Sequence, residues 1–237
     1  MEYEMHFAPV LAYWPHFLTG AVQTLGLTGG AVFFGLTIGL FGAIARDSRS
    51  KAVAGIVAIY VEIVRNTPML VQMLIFFFAL PMVGIQISAT AAALMSISFN
   101  LGAYATEIIR AGIVAIPRTQ IEAGLALGMS RFRVMRHIVI IPALRIIFPA
   151  LTGQLTLTLQ GTSIASAISA AELTSAASFV ESITFRSLET YIVLAIVYIC
   201  LTFLFRLIYW LVSLVLFRRK RSLNLEKLSG SPVMGAQ

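Results

Sequence analysis

Charged side chains are scarce in this sequence. Only 11% of the 237 residues are Asp, Glu, Lys or Arg, whereas 59% are hydrophobic and the mean hydropathy is +0.91. A soluble domain carries about 25% charged residues, so the composition excludes a soluble globular chain and indicates a membrane protein with several spans. The net charge is +7, and the basic residues lie in the segments between apolar runs. This distribution is better explained by cytoplasmic loops and contact with anionic lipid than by binding to nucleic acid.

Cysteine, histidine and catalytic motifs are equally scarce. Cys200 is the single cysteine, so no internal disulfide can form. His6 and His16 are too far apart in the sequence, and too poorly supported by other ligands, for a metal site. The sequence contains no phosphate-binding loop of the Gly-x-x-x-x-Gly-Lys-Ser/Thr type and no Ser-His-Asp arrangement. We therefore expect a chain that is not itself an enzyme and holds no cofactor.

Apolar runs separated by polar turns predict an all-α membrane protein with five transmembrane helices. Gly35, Gly39 and Gly42 give the first span a spacing of small residues that allows close helix packing in lipid. Pro68 interrupts the second span. The predicted spans are residues 17–45, 53–80, 87–109, 138–169 and 191–217.

The distribution of positive charge predicts the orientation of the chain. Lys and Arg cluster after the first, third and fifth spans, whereas the remaining loops carry acids or no charge. Because basic loops stay in the cytoplasm, we expect the N-terminus outside and the C-terminus inside the cytoplasmic membrane. Residues 1–16 are expected to form an aromatic interfacial segment, and residues 218–237 a basic, disordered cytoplasmic tail.

The longest polar passage between spans is residues 117–137, which we call the basic segment. Thr119, with Glu122 three residues later, predicts a capping box at the start of a short amphipathic helix. An alternative is a solvated loop in which the Glu-Ala pair is a chance match. Small residues keep the helix surface low, so another protein could approach closely. They are Ala123, Gly124 and Gly128.

This segment resembles the Glu-Ala-Ala signature of permease subunits of ATP-binding-cassette (ABC) importers. In that family the signature continues with three residues, Gly, and nine residues before Ile-x-Leu-Pro. Glu122, Ala123 and Gly128 stand at the matching places. Gly124 replaces the second Ala, and Pro142 comes one residue later than in the family. We interpret the shift as a local change in where the next helix kinks.

Further passages resemble the polar amino-acid branch of this family. Residues 60–72, YVEIVRNTPMLVQ, resemble YVExFRGTPLLVQ, with Asn66 in place of Gly. Residues 102–113 resemble the family pattern of Gly-Ala-Tyr followed by Glu, Arg and Gly-Ile. Another passage departs from the family, because Gln160 and Gly161 stand where Lys and Asp are frequent.

The resemblance implies a type I ABC importer transmembrane fold and transport by alternating access. It implies two ATPase subunits that bind ATP and Mg²⁺, a second permease subunit (identical or a sister chain) and an external substrate-binding protein. The cargo implied is a polar amino acid or a related compound such as an opine. The residues implied to couple to the ATPase are Glu122, Ala123, Gly124, Gly128 and Arg131. The alternative, a stand-alone secondary transporter or channel, would show internal repeats across more spans, and no repeat is evident.

Charged residues within the predicted spans form a second group of candidates. At 1.5 Å per residue, Glu62 and Arg206 lie about 13 Å and 16 Å above the cytoplasmic ends of their spans. A charge in hydrocarbon costs about 2.5–3.5 kcal/mol, so we predict an intramembrane network of Glu62, Arg65 and Arg206 in which Glu62 pairs with Arg206. Glu107 and Arg110, three residues apart near the interface, are expected to form a clamp or to extend their charged ends into the interface. The candidate translocation path is Gln160, Thr162 and Ser163.

Overall fold

The computed structural model describes residues 4–216, and this part of the chain is an all-α bundle. The first half contains α1 (Ala8–Leu11), α2 (Trp14–Arg46), α3 (Lys51–Arg65), α4 (Met69–Met82) and α5 (Ala89–Val114). The second half contains α6 (Arg118–Ala126), α7 (Arg131–Val134), a π-helical turn (Met135–Ile140), α8 (Ile141–Gly161), a 3₁₀ segment (Thr162–Ile168), α9 (Leu173–Thr184) and α10 (Ser187–Leu216). The predicted tail, residues 218–237, lies outside the described residues.

The apolar helices confirm four of the predicted spans and are compatible with the fifth. Within residues 4–216, α2, α5, the continuous run Arg131–Ile168 and α10 are each long and apolar enough to cross a membrane. The consecutive helices α3 and α4 meet at 109° and count as the fifth span if the bent pair is one broken crossing. The helical run that contains the fourth predicted span begins at Arg131, because the last part of the basic segment is already helical.

The most extensive packing in the described bundle lies between α2 and α5. Gly35 faces Leu101, Gly39 faces Ala105, and Gly42 faces Thr106. A β-carbon on any of these glycines would collide with the α5 side chain, so the three glycines bring the two helices together. This confirms the close packing that their spacing predicts.

The turn between α7 and α8 is wider than an α-helical turn. The backbone N–H of Ile141 donates to the carbonyl of Arg136, five residues earlier, as in a π-helix. The next residue, Pro142, lies in the first turn of α8, where a missing N–H is tolerated. A π turn holds one residue more than an α-helical turn, so it offers room for the shift of Pro142 that the resemblance implies, and the expectation of a displaced kink stays a prediction.

Opposite the basic segment, α9 covers the end of the bundle. Glu172 caps α9: its carboxylate accepts from the backbone N–H groups of Thr174 at 2.7 Å and Ser175 at 2.6 Å. The Tyr198 hydroxyl donates to the same carboxylate at 3.0 Å, which ties α9 to α10. The N-terminal segment is fastened at the same end, since the N–H of His6 donates to the buried Glu189 carboxylate at 3.0 Å. That this segment lies in the membrane interface stays a prediction.

Candidate functional site

The break between α3 and α4 is held open by side-chain amides. Pro68 has no N–H to continue a helix, so carbonyls at the end of α3 lose their helical partners. The buried Gln72 replaces those partners by donating to the carbonyls of Val64 at 2.8 Å and Thr67 at 2.9 Å. Asn100 on α5 donates to the Gln72 carbonyl oxygen at 3.1 Å. The break is thus a built feature, anchored to the neighbouring span.

A cavity of about 650 Å³, here called the break cavity, opens beside this break. The end of α3, the middle of α5 and the upper part of α8 form its walls. Arg65 contributes a positive charge, and its guanidinium carbon lies 5.5 Å from the centre of the Tyr104 ring, in a cation–π contact. The other polar residues that line it include Asn66, Thr67, Asn100, Gln154 and Thr158. Such a lining can hold a small polar molecule with an anionic group.

A second cavity, of about 640 Å³, lies between α8 and α10 and contains Arg206; we call it the Arg206 cavity. The prediction that Glu62 pairs with Arg206 is wrong. The Glu62 carboxylate instead accepts from the Asn66 side-chain amide at 2.9 Å. The two helices lie on different sides of the bundle: α3 packs mainly on α5 and α2, whereas α10 packs mainly on α8 and α9, so equal depth does not bring the two side chains together.

The structure distributes the three residues of the candidate path differently. Gln160 lines the Arg206 cavity. Thr162 is fully buried, and its hydroxyl donates to the Leu159 carbonyl at 2.7 Å, so it faces the protein core. The Ser163 hydroxyl donates to the Gln160 carbonyl at 2.8 Å and satisfies its own helix. Sequence reasoning missed Gln154 and Thr158, which lie two turns and one turn before Thr162, because polar spacing along α8 does not reveal which face meets a cavity.

The basic segment begins with α6, and its start corrects the predicted capping box. Pro117 occupies the N-cap position with an extended backbone, and no side chain caps the helix. Thr119 is already the second helical residue, so it cannot serve as the cap. Glu122 is therefore free of the role assigned to it and is exposed on α6.

The end of α6 explains both glycines of the signature. Gly128 has φ +76°, in the left-handed region, and its N–H donates to the carbonyl of Leu125 at 3.0 Å. The N–H of Met129 donates to the carbonyl of Gly124 at 3.1 Å, which completes a Schellman motif. Gly124 itself is buried, and a β-carbon there would strike the Ile138 side chain. Gly124 thus packs inward, whereas Ala123 and Gly128 are exposed.

Ion pairs fasten the bundle next to the basic segment. A Glu107 carboxylate oxygen lies 3.2 Å from an Arg110 guanidinium nitrogen and its other oxygen lies 3.7 Å from Nε of Arg46. The predicted clamp between Glu107 and Arg110 is confirmed, and it extends to the end of α2. Arg65 shows no such pair with Glu62 in the described part of the chain, since it lies over Tyr104.

Comparison with known families decides the class of this bundle. The family described as "Binding-protein-dependent transport system inner membrane component" matches residues 35–216, which include α3 to α10 and the C-terminal third of α2. The chain belongs to this family. The permease is a multi-pass inner-membrane transport subunit, not an enzyme, and its ATPase is a separate partner. A stand-alone transporter or channel is not favoured.

Relatives and solved structures agree with this assignment. The L-cystine transport system permease protein TcyB of Bacillus subtilis is 34% identical over 86% of this chain and 85% of the relative. The glutamine transport system permease protein GlnP of Escherichia coli is 34% identical over 81% and 90%. A crystal structure of an amino acid ABC transporter with histidines is 36% identical, with a TM-score of 0.82 over 88% of this chain and 98% of that chain. The MetNI methionine ABC transporter, 20% identical with a TM-score of 0.69 over 85% and 96%, shares the fold.

The permease also exposes apolar side chains on the basic segment that the sequence did not single out. Leu127 is 83% exposed and Phe132 is 72% exposed, on either side of the turn after α6. Arg131 lies between them, at the start of α7, and is exposed. The sequence signal that could have revealed them is the presence of two large apolar residues beside the Gly128 turn, where no helix packs over such side chains. Large exposed apolar groups beside a basic residue suit a protein partner.

Proposed function

We propose that this permease carries a polar amino acid, or a related compound such as an opine, and that Arg65 binds its carboxylate in the break cavity. Relatives that match most of the chain are named for glutamine and L-cystine transport. The observation that carries the proposal is a cavity of about 650 Å³ with an arginine in its wall. Small-molecule sites have volumes of roughly 300–1,000 Å³, with a few placed polar groups in a largely apolar wall.

The chemistry of the wall fits an α-amino acid. A guanidinium offers two parallel N–H donors to a carboxylate, a geometry that lysine lacks. The Tyr104 ring holds the Arg65 guanidinium beside the cavity before substrate arrives. The side-chain carbonyl oxygen of Gln154 and the Thr158 hydroxyl oxygen are acceptors for an ammonium group. Apolar side chains such as Met69 and Ile164 complete the wall and suit the aliphatic part of the cargo.

The assembly that we propose places the N-terminus outside and the C-terminus in the cytoplasm. Two ATPase subunits then meet the basic segments of this permease and of a second permease subunit, identical or a sister chain. ATP and Mg²⁺ bind to the ATPases, and an external binding protein delivers the cargo to the opposite end. The contact surface on α6 and α7 comprises Glu122, Ala123, Leu127, Gly128, Arg131 and Phe132. Closure of the ATPases moves α6 as a rigid lever on α5 and α8.

Uptake by the complete transporter tests the proposal. The permease is reconstituted with its ATPase and binding protein, and ATP-driven uptake of labelled glutamine, cystine, arginine and octopine is measured. Arg65→Gln should lower uptake of the accepted compound by roughly 10- to 150-fold, because a charged hydrogen bond contributes about 1.5–3 kcal/mol. Arg65→Lys, which retains the charge, should lose less. Unchanged uptake by Arg65→Gln, or uptake of none of these compounds, would contradict the proposal.

A further inference from the structure

Helix α8 separates two polar cavities and shows a polar face to each. Gln154, Thr158 and Gly161, at helical spacing, line the break cavity. The neighbouring face of α8 carries a second polar row along the Arg206 cavity, at a regular spacing of four. That row is Thr152, Thr156 and Gln160. The Thr hydroxyls of both rows donate to carbonyls of α8 itself, so the glutamines carry the argument. A helix face turned to lipid would be apolar, and Gln154 on one face and Gln160 on the other therefore indicate polar space on both sides.

One side chain belongs to both cavities. Leu157 lines the break cavity and the Arg206 cavity, and 60% of its surface is exposed. It lies between the two polar rows of α8 and presents an apolar group where the two spaces meet. A hydrophobic constriction between wet compartments blocks the passage of polar solutes until it moves.

The two cavities are also displaced along the membrane normal. The lining of the break cavity reaches upward to Ile164, whereas the lining of the Arg206 cavity reaches downward to Phe148. At 1.5 Å per residue, Arg65 lies about 21 Å from the start of α3 and Arg206 about 15 Å from the end of α10, at the basic-segment end of the bundle. The Arg206 cavity is therefore the one nearer the basic segment.

Arg206 supplies the second cavity with a positive charge. Among residues 4–216, no carboxylate forms an ion pair with it. Charged residues inside spans face water-filled space and mark the routes of ions or substrates. Arg206 is thus suited to meet an anionic group that enters the cavity.

We propose that Leu157 is an apolar barrier between two stations of one translocation path, and that Arg206 is the anion-binding group of the cytoplasmic station. The path leads from Arg65 in the break cavity, past Leu157, to Arg206. The cargo class is the carboxylate-bearing compound of the proposed function, on which this inference rests. An anionic lipid headgroup would use the same guanidinium chemistry, so the test must separate a water-filled path from a lipid groove.

The accessibility of introduced thiols distinguishes a water-filled path from a lipid groove, and the measurement needs no known substrate. Single cysteines are introduced on a Cys200→Ser background at Gly153 for the Arg206 cavity and at Gln154 for the break cavity. A β-carbon at Gly153 has nothing within 4 Å, so Gly153→Cys fits without a clash. The probes are membrane-impermeant methanethiosulfonates, one anionic and one cationic. They are applied to either side of proteoliposomes that hold the permease with its ATPase.

The charge test concerns Arg206. At about 6 Å, a unit charge changes the local concentration of an anion by roughly 3-fold in water and 100-fold at an effective dielectric constant of about 20. We expect the ratio of anionic to cationic labelling of Gly153→Cys to fall about tenfold in Arg206→Gln and to persist in Arg206→Lys. Failure of both water-borne reagents to label Gly153→Cys would mean a lipid-filled groove or a surface covered by protein, and would overturn the proposal.

The barrier test concerns Leu157. We expect Gln154→Cys to react faster from the external side and Gly153→Cys faster from the cytoplasmic side. Leu157→Ala should reduce this difference at least tenfold, whereas Leu144→Ala, an exposed α8 position outside both cavities, should preserve it. Unchanged sidedness in Leu157→Ala would refute the barrier. Because labelling needs no cargo, a path confirmed here while amino-acid uptake fails would reject the proposed cargo and keep the barrier.

Discussion

Gly128 gives the sharpest test of the basic segment as the element that couples to the ATPase. Its φ of +76° closes the Schellman turn after α6, and a β-carbon there would meet nothing within 4 Å. Substitution by Ala therefore adds no collision and isolates the backbone. The left-handed conformation costs a non-glycine residue about 1–2 kcal/mol. Because the ATPase must bind the closed turn, Gly128→Ala should weaken its binding about 5- to 30-fold.

Three substitutions at this position separate backbone, bulk and charge. Gly128→Asn adds a larger side chain than Ala but tolerates the left-handed conformation, so it should behave almost as wild type. Gly128→Asp has nearly the same shape with a negative charge, and we expect it to impair docking further than Asn. All three should insert normally into the membrane, because Gly128 lies in the turn after α6 and not in a span.

The assay has two readouts. The first is co-purification of the ATPase with each permease variant, and the second is ATP hydrolysis with and without loaded binding protein. We expect the order Asn, Ala, Asp of increasing loss in both. Normal docking and normal stimulation in both Gly128→Ala and Gly128→Asp would show that this turn is not part of the coupling surface.

Further predictions concern the break, the capped end and the topology. Gln72→Leu removes two hydrogen bonds at the break, and the Val64 carbonyl keeps the Thr67 N–H as a partner whereas the Thr67 carbonyl loses its side-chain donor. A buried acceptor left without its donor costs about 1–3 kcal/mol, so the purified permease should melt at lower temperature; an unchanged melting temperature would mean that water replaces the amide. Burial raises the pKa of the Glu172 carboxyl, against the lowering effect of the N–H groups of its own cap and of the Tyr198 hydroxyl. The folded carboxyl then keeps its proton to higher pH than the unfolded one, so stability should fall as pH rises above about 4.5 towards the raised pKa. Glu172→Gln should flatten that dependence in melting curves, and an equally steep curve would contradict it. A reporter fused after Arg221 should be cytoplasmic and one inserted near Ser178 external; both on one side would refute the five-span topology.

The position of residues along the chain was enough to predict the membrane spans. Runs of apolar residues gave five crossings, and the spacing of Gly35, Gly39 and Gly42 predicted a close helix contact that α2 makes with α5. Both inferences depend on position along one helix. Position along a helix follows from counting residues at a fixed rise, so these features could be predicted without a partner helix.

The sequence did not show which side of each helix faces which neighbour, and the wrong predictions come from that gap. Glu62 and Arg206 match in depth but belong to helices whose main neighbours differ, α5 for α3 and α8 and α9 for α10. Thr162 and Gln160 differ by two residues, about 200° around a helix, so one enters the core while the other lines a cavity. The capping box failed for a local reason: the extended backbone of Pro117 places the helix start one residue before Thr119.

The π turn at Met135–Ile140 affects how the residues of α8 are rotated about the helix axis. Removing one residue from an α-helix rotates the remainder by about 100° and shortens it by about 1.5 Å. A sequence with one residue more than its relatives would by the same arithmetic turn Leu157 away from its place between the two cavities. The wide hydrogen-bonded ring of the π turn has room for such a residue, and α8 can then keep its orientation. The π turn can thus accommodate the gain or loss of one residue between Gly128 and Pro142 while both polar faces of α8 stay in register.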